Sequence, residues 1–186
     1  MDGDVVEAAD CYEQAVQAGD APLEAYLNLA VLYWQCTDYG FNAGHKLGAE
    51  FIGRAGERYP TLLQEADQCF PDRPEVKFWM LYCDFVTLGG LPFVEECERL
   101  VKNTSEPLVP YFYLYSSSNG RGYEREASRL LRECLKQPTV KNKYIASVIE
   151  GGGRNGRTPS DSGKWRRFRS SRHWKYRAAR RKSLRD

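Results

Sequence analysis

Between Glu7 and Tyr39 the apolar residues recur at steps of three and four, and only Gly19-Asp20-Ala21-Pro22 interrupts them. That spacing admits a pair of helices and excludes strands, whose side chains alternate at every second residue. Ala8, Tyr12 and Ala15 fall on one face of the first helix. Tyr26, Leu29, Ala30 and Tyr33 fall on one face of the second. Small residues stand where two helices would touch, with large ones filling the gaps beside them. Gly19 suits the left-handed end of the first helix, and Pro22 suits the start of the next.

The same periodicity extends through the first 150 residues. Helices are expected over 5–18 and 23–35, with a loop from Cys36 to about Ala43 onto which Tyr39 and Phe41 fold back. A long helix over 43–70 follows, carrying Leu47, Phe51, Ala55, Tyr59, Leu62 and Ala66. It is kinked or broken near Pro60, where proline removes an internal hydrogen bond. Pro74 opens a helix that Gly89-Gly90 ends, and Pro92 opens the next. Two more cover 107–118 and 123–136. Thr139 caps a last helix whose apolar face is Tyr144, Ile145, Val148 and Ile149, and Gly151-Gly152-Gly153 is expected to end the folded part. The fold class expected is all-α, with a helical domain over 1–150 and a tail over 151–186.

The helix-pair pattern resembles the tetratricopeptide repeat family. Ala8, Tyr12 and Ala15 match the second helix of one repeat, and Tyr26, Leu29, Ala30 and Tyr33 match the first helix of the next. They lie within a unit of about 34 residues. Phe78, Leu81, Tyr82 and Phe85 repeat the first-helix spacing, and Ala127, Leu131 and Cys134 the second-helix spacing. The resemblance implies antiparallel helix pairs stacked as a short right-handed solenoid with a concave inner surface. The 5–18 helix would be the second half of a repeat whose first helix is missing. Projected onto this chain, the inner surface carries Leu27, Val31 and Trp34, then Trp79, Cys83 and Val86, then Phe112 and Ser116. Such a groove would hold a peptide or a helix of a protein partner by apolar anchors. The plainer reading is that the long helix folds over these residues and makes them core, the commoner fate of aromatics at helical spacing. Some members of the family grip a partner's C-terminal carboxylate with Lys, Asn and Arg. Only Asn28 falls near such a place, so that mode is not expected.

Catalytic signals are absent from the sequence. Glu95, Glu96 and Glu98 read as a solvated helix face, and His45 and His173 stand alone. No nucleophile elbow, phosphate loop or metal-ligand spacing occurs, so no enzyme, cofactor or metal is expected. The six cysteines form no CxxC and lie in helical stretches, which reads as buried reduced thiols and a cytoplasmic setting. A mean hydropathy of −0.60 and the lack of a long apolar run argue against a membrane span.

Charge divides the chain. Residues 1–150 hold 14 Lys+Arg and 23 Asp+Glu, net −9, whereas 151–186 hold 13 and 2, net +11. In the tail, Trp165, Arg166, Arg167, Phe168, Arg169, Trp174, Lys175 and Arg177 interleave cations with flat rings. Cations neutralise phosphates and rings stack on unpaired bases, so nucleic acid is the second candidate partner. The same composition fits a membrane-surface segment, a disordered solvated tail, or a segment lying on the acidic body of its own or a second molecule. Composition also changes abruptly after Glu150, as a shifted reading frame or a junction would make it do. Oligomeric state is not legible.

Overall fold

The computed structural model describes residues 4–89, 93–102 and 108–155. Among these there are nine helices and no strand. They are α1 (Val5–Gln17), α2 (Leu23–Cys36), α3 (Tyr39–Gly44), α4 (Ala49–Cys69), α5 (Pro74–Leu88), α6 (Phe93–Lys102), α7 (Pro110–Ser117), α8 (Glu124–Lys136) and α9 (Val140–Asn155). The all-α reading therefore holds. The tail residues from Trp165 to Arg177 lie outside the described residues.

Local signals set several helix ends. Asp4 caps α1, its Oδ1 accepting from the N–H of Val6 at 2.9 Å and of Glu7 at 3.3 Å. Gly19 takes φ +83°, the left-handed turn that lets the chain reverse into α2. Pro74 occupies the first turn of α5, and Gly89 at φ +63° follows its end.

Three expectations need correcting at this level. The stretch after α2 holds a short helix, α3, because Asp38 accepts from the N–H of Phe41 at 2.9 Å and so supplies a start. The long helix begins at Ala49 rather than 43 and runs unbroken for 21 residues with Pro60 inside. Proline costs one backbone bond, but Leu62, Leu63 and Ala66 beyond it are all buried, and that packing holds the second half in line. The last helix does not stop at the glycines: α9 continues through them to Asn155.

Contacts run in chain order: α1 on α2, α2 on α4, α4 on α5, α5 on α6, α6 on α7, α7 on α8 and α8 on α9. α2 lies at the centre, with eleven of its fourteen residues buried, against α1, α3, α4, α5 and α9. α9 reaches both α7 and α2 and so bridges them. The resemblance implied a concave surface open along α2, α5 and α7. Here α9 packs against α2 and α7.

The face of α1 also differs from expectation. Val5, Ala9 and Val16 are buried and Ala8 and Tyr12 half-buried, while Ala15 is exposed. The helix is turned by about one residue, roughly 100°. With α2 on one side only, burying two branched valines removes more apolar area from water than burying Ala15 would. Arg58 on α4 fixes the rotation, its Nε and Nη2 donating to Glu13 on α1 at 3.1 and 3.3 Å and its Nη1 to Glu65 at 2.6 Å. Arg58 and Glu13 line a cleft of about 360 Å³ with Asp10, Gln17, Tyr33 and Arg54. Its cations already face carboxylates, Arg54 lying 3.8 Å from Asp10.

Candidate functional site

The six residues expected to line a groove are core. Leu27, Val31, Trp34, Trp79, Cys83 and Phe112 are all at most 6% exposed. The expectation of an accessible groove at these positions is therefore corrected: they are buried, and Trp34, Trp79 and Phe112 pack against Tyr144 of α9. Of the other two residues projected onto that surface, Ser116 is buried and Val86 half-buried.

Tyr144 of α9 makes the join. Its ring lies 5.3 Å from Trp34, 6.2 Å from Trp79 and 6.1 Å from Phe112, centroid to centroid. These edge-to-face and tilted geometries suit ring quadrupoles better than face-to-face sandwiches do. Its hydroxyl meets that of Tyr82 at 2.6 Å. Tyr82 also packs on Trp34 at 5.7 Å and on Phe112 at 5.1 Å, so α2, α5, α7 and α9 share one aromatic cluster. Phe78 extends it, 5.5 Å from Phe112. Trp34 Nε1 donates to Thr87 Oγ1 at 3.3 Å, whereas Trp79 Nε1 is buried with no hydrogen-bond partner.

One turn before Tyr144, Lys141 enters the same interface. The residue is 3% exposed. Its Nζ donates to Glu24 of α2 at 2.8 Å and to Glu75 of α5 at 2.6 Å. Its backbone N–H donates to Asn28 Oδ1 at 2.9 Å, and Asn28 Nδ2 donates in turn to the Glu24 carbonyl at 2.7 Å. Asn28 is thus a buried strut between α2 and α9. The sequence reading missed this cluster because it counted only the apolar members of the last helix. The signal was present: Lys141 lies four residues before Ile145 and three before Tyr144, on the same stripe.

Burial pulls the Lys141 ammonium toward neutrality, but Glu75 and Glu24 outweigh it and hold its pKa above the ordinary 10.5. Burial pushes the phenols of Tyr82 and Tyr144 well above 10. All three groups keep their protons longer in the folded chain than in the unfolded one. Their stabilising contribution is whole below the unfolded values and is lost as pH rises through the folded ones. The thermal midpoint is expected to begin falling near about pH 9, where unfolding frees thiols that burial keeps protonated, and to fall more steeply by about pH 11.5 as the phenols and Lys141 add to it, read by circular dichroism. A midpoint unchanged at the upper limit would contradict the proton-holding role of this cluster.

Cysteine burial divides the thiols unevenly. Cys36, Cys83, Cys97 and Cys134 are buried, as expected, but Cys11 and Cys69 are exposed. Burial raises the pKa of Cys36 to about 12 and that of Cys134 to about 11, which suppresses the reactive thiolate. In the native chain two thiols are expected to react with a disulfide reagent near pH 8, the other four at least about 100-fold more slowly until denaturant is added. Six equally fast thiols would show that the helices do not close.

Among the described residues, no group of three or more His, Cys, Asp or Glu is placed to hold a metal ion, and no helix is long and apolar enough to cross a membrane. Comparison with protein-family models, curated proteins and solved structures found no match.

Proposed function

We propose that this chain is a non-catalytic interaction scaffold whose inner surface, made by α2, α5 and α7, receives a helix from a protein partner. The supporting observation is the seat of α9. There a helix lies with its Tyr144 ring among Trp34, Trp79 and Phe112 and its Lys141 ammonium between two carboxylates. The surface thus offers an amphipathic helix both an apolar slot and a polar register point, the two ingredients of helix-in-groove recognition. No cofactor is needed for that task. The test is affinity capture on the immobilised full chain, with excess synthetic peptide of residues 140–150 as competitor. A partner that uses the inner surface is displaced. A partner retained at every peptide concentration overturns the groove as its site.

A second reading rests on the +11 charge of residues 151–186. It makes the chain a nucleic-acid-associated adaptor with the tail as its anchor. Deleting residues 156–186, which leaves α9 whole, is then expected to abolish retention of single-stranded RNA and its steep salt dependence. Equal retention with and without those residues would remove the reading.

A further inference from the structure

We propose that α9 is a displaceable occupant, a built-in plug that leaves the inner surface as a unit and yields it to a helix bearing a lysine and, three residues later, an aromatic ring. The inference rests on the scaffold reading for its biological use, but its physical content is separate.

Three observations carry it. The first is the pattern on α9 itself. Lys141, Tyr144, Ile145, Val148 and Ile149 stand at i, i+3, i+4, i+7 and i+8, one continuous stripe of a free-standing amphipathic helix. The second is that α9 is only partly buried. Of its described side chains Lys141, Ile145, Ala146 and Ile149 are buried and Val140, Tyr144 and Val148 half-buried, against eleven of fourteen residues buried in α2. Its C-terminal turns contain Gly151, Gly152 and Gly153, which favour helix least apart from proline. An element with few buried apolar side chains and a weak end opens at lower free energy than the core it covers. The third is the nature of the anchor. The Lys141 side chain is 4% exposed, but its partner Glu24 is 56% exposed, so water reaches the ion cluster at its rim. Parting the ions rehydrates them, which returns much of what their separation costs.

Departure of α9 uncovers a defined surface. Glu24 and Glu75 lose their shared cation, Asn28 Oδ1 loses its donor, and the Tyr82 hydroxyl loses its partner at one end of an aromatic slot. Those groups ask for an ammonium one helical turn before a ring. An incoming helix that supplies both restores every lost bond, whereas one lacking the lysine leaves the mostly buried Glu75 without a cation.

The experiment is hydrogen exchange of the full chain, read by mass spectrometry at neutral pH. Segments within 140–150 are expected to exchange at least about 100-fold faster than segments within 25–34. Lys141→Met is expected to quicken both α9 and α2 by about 100-fold, because the ion contacts are lost when α9 opens and when the whole chain unfolds, and to leave α9 the faster of the two. The gentler Tyr144→Phe, which removes only the hydroxyl contact to Tyr82, gives a smaller step of the same kind should the first variant fail to fold. A fluorescent peptide of residues 140–150 then binds the loosened variant saturably, and about tenfold more weakly when it carries Tyr144→Ala. One common exchange rate for α9 and α2 overturns the proposal, and so does the absence of saturable peptide binding. If α9 opens and the peptide binds but no partner is captured, the scaffold reading fails and the plug stands.

Discussion

Replacing Lys141 by methionine is expected to lower the unfolding free energy by about 3 kcal/mol. Methionine nearly matches the lysine stem in length, so the loss comes from charge and not from a cavity. Glu75, 17% exposed at its side chain and 2.6 Å from Nζ, is left as a carboxylate with neither cation nor full hydration. Removing one partner of a buried ion pair costs more than the pair contributes, because the other charge stays desolvated. Adding Glu75→Gln to Lys141→Met should therefore recover a large share, since the amide carries no charge to strand. Glu24→Gln should recover less, because Glu24 is already half in water. Urea denaturation of the two single variants and the double variant measures the coupling directly. Additive losses with no recovery would show that the cluster is not a single electrostatic unit.

Trp79→Ala is expected to cost about 4 kcal/mol, the loss typical of emptying a large aromatic site in a close-packed core. Trp79 is fully buried, with Phe78 at 5.5 Å, Tyr82 at 5.7 Å and Phe112 at 5.9 Å around it. Trp79→Phe should cost much less, about 1 kcal/mol. Phenylalanine keeps the ring contacts and removes an indole N–H that has no acceptor, a group whose burial is itself unfavourable. The contrast matters for function. Had Trp79 lined an open groove, truncation would weaken binding and leave the fold intact. In the core it weakens the fold first, so any lost binding by Trp79→Ala reports unfolding. A stability change below about 1 kcal/mol for the alanine variant would return Trp79 to the surface.

How much of the fold was legible follows from particular elements. α2 and α5 were readable almost to the residue, because proline starts both and their inward stripes repeat without a gap. α3 was hidden, since six residues give no periodicity and only the side chain of Asp38 marks the start. α9 was read too short, because three glycines weigh against helix locally while the preceding turns propagate through them. Leu27, Val31, Trp34, Trp79, Cys83 and Phe112 stood out by their helical spacing, and the structure buries all six. What covers them was not legible.

Amino-acid order alone dictated an all-helical chain, most of the helix limits and the apolar stripe of each helix. Those follow from interactions spanning three or four residues, which any short window contains. The tertiary structure alone decided that α9 occupies the inner surface, that α1 turns Ala15 to solvent, and that a lysine sits in the core. Lys141 reaches Glu24 across 117 residues of chain. A contact at that separation is set by how the helices stack, and local periodicity carries no record of which stripe will meet which.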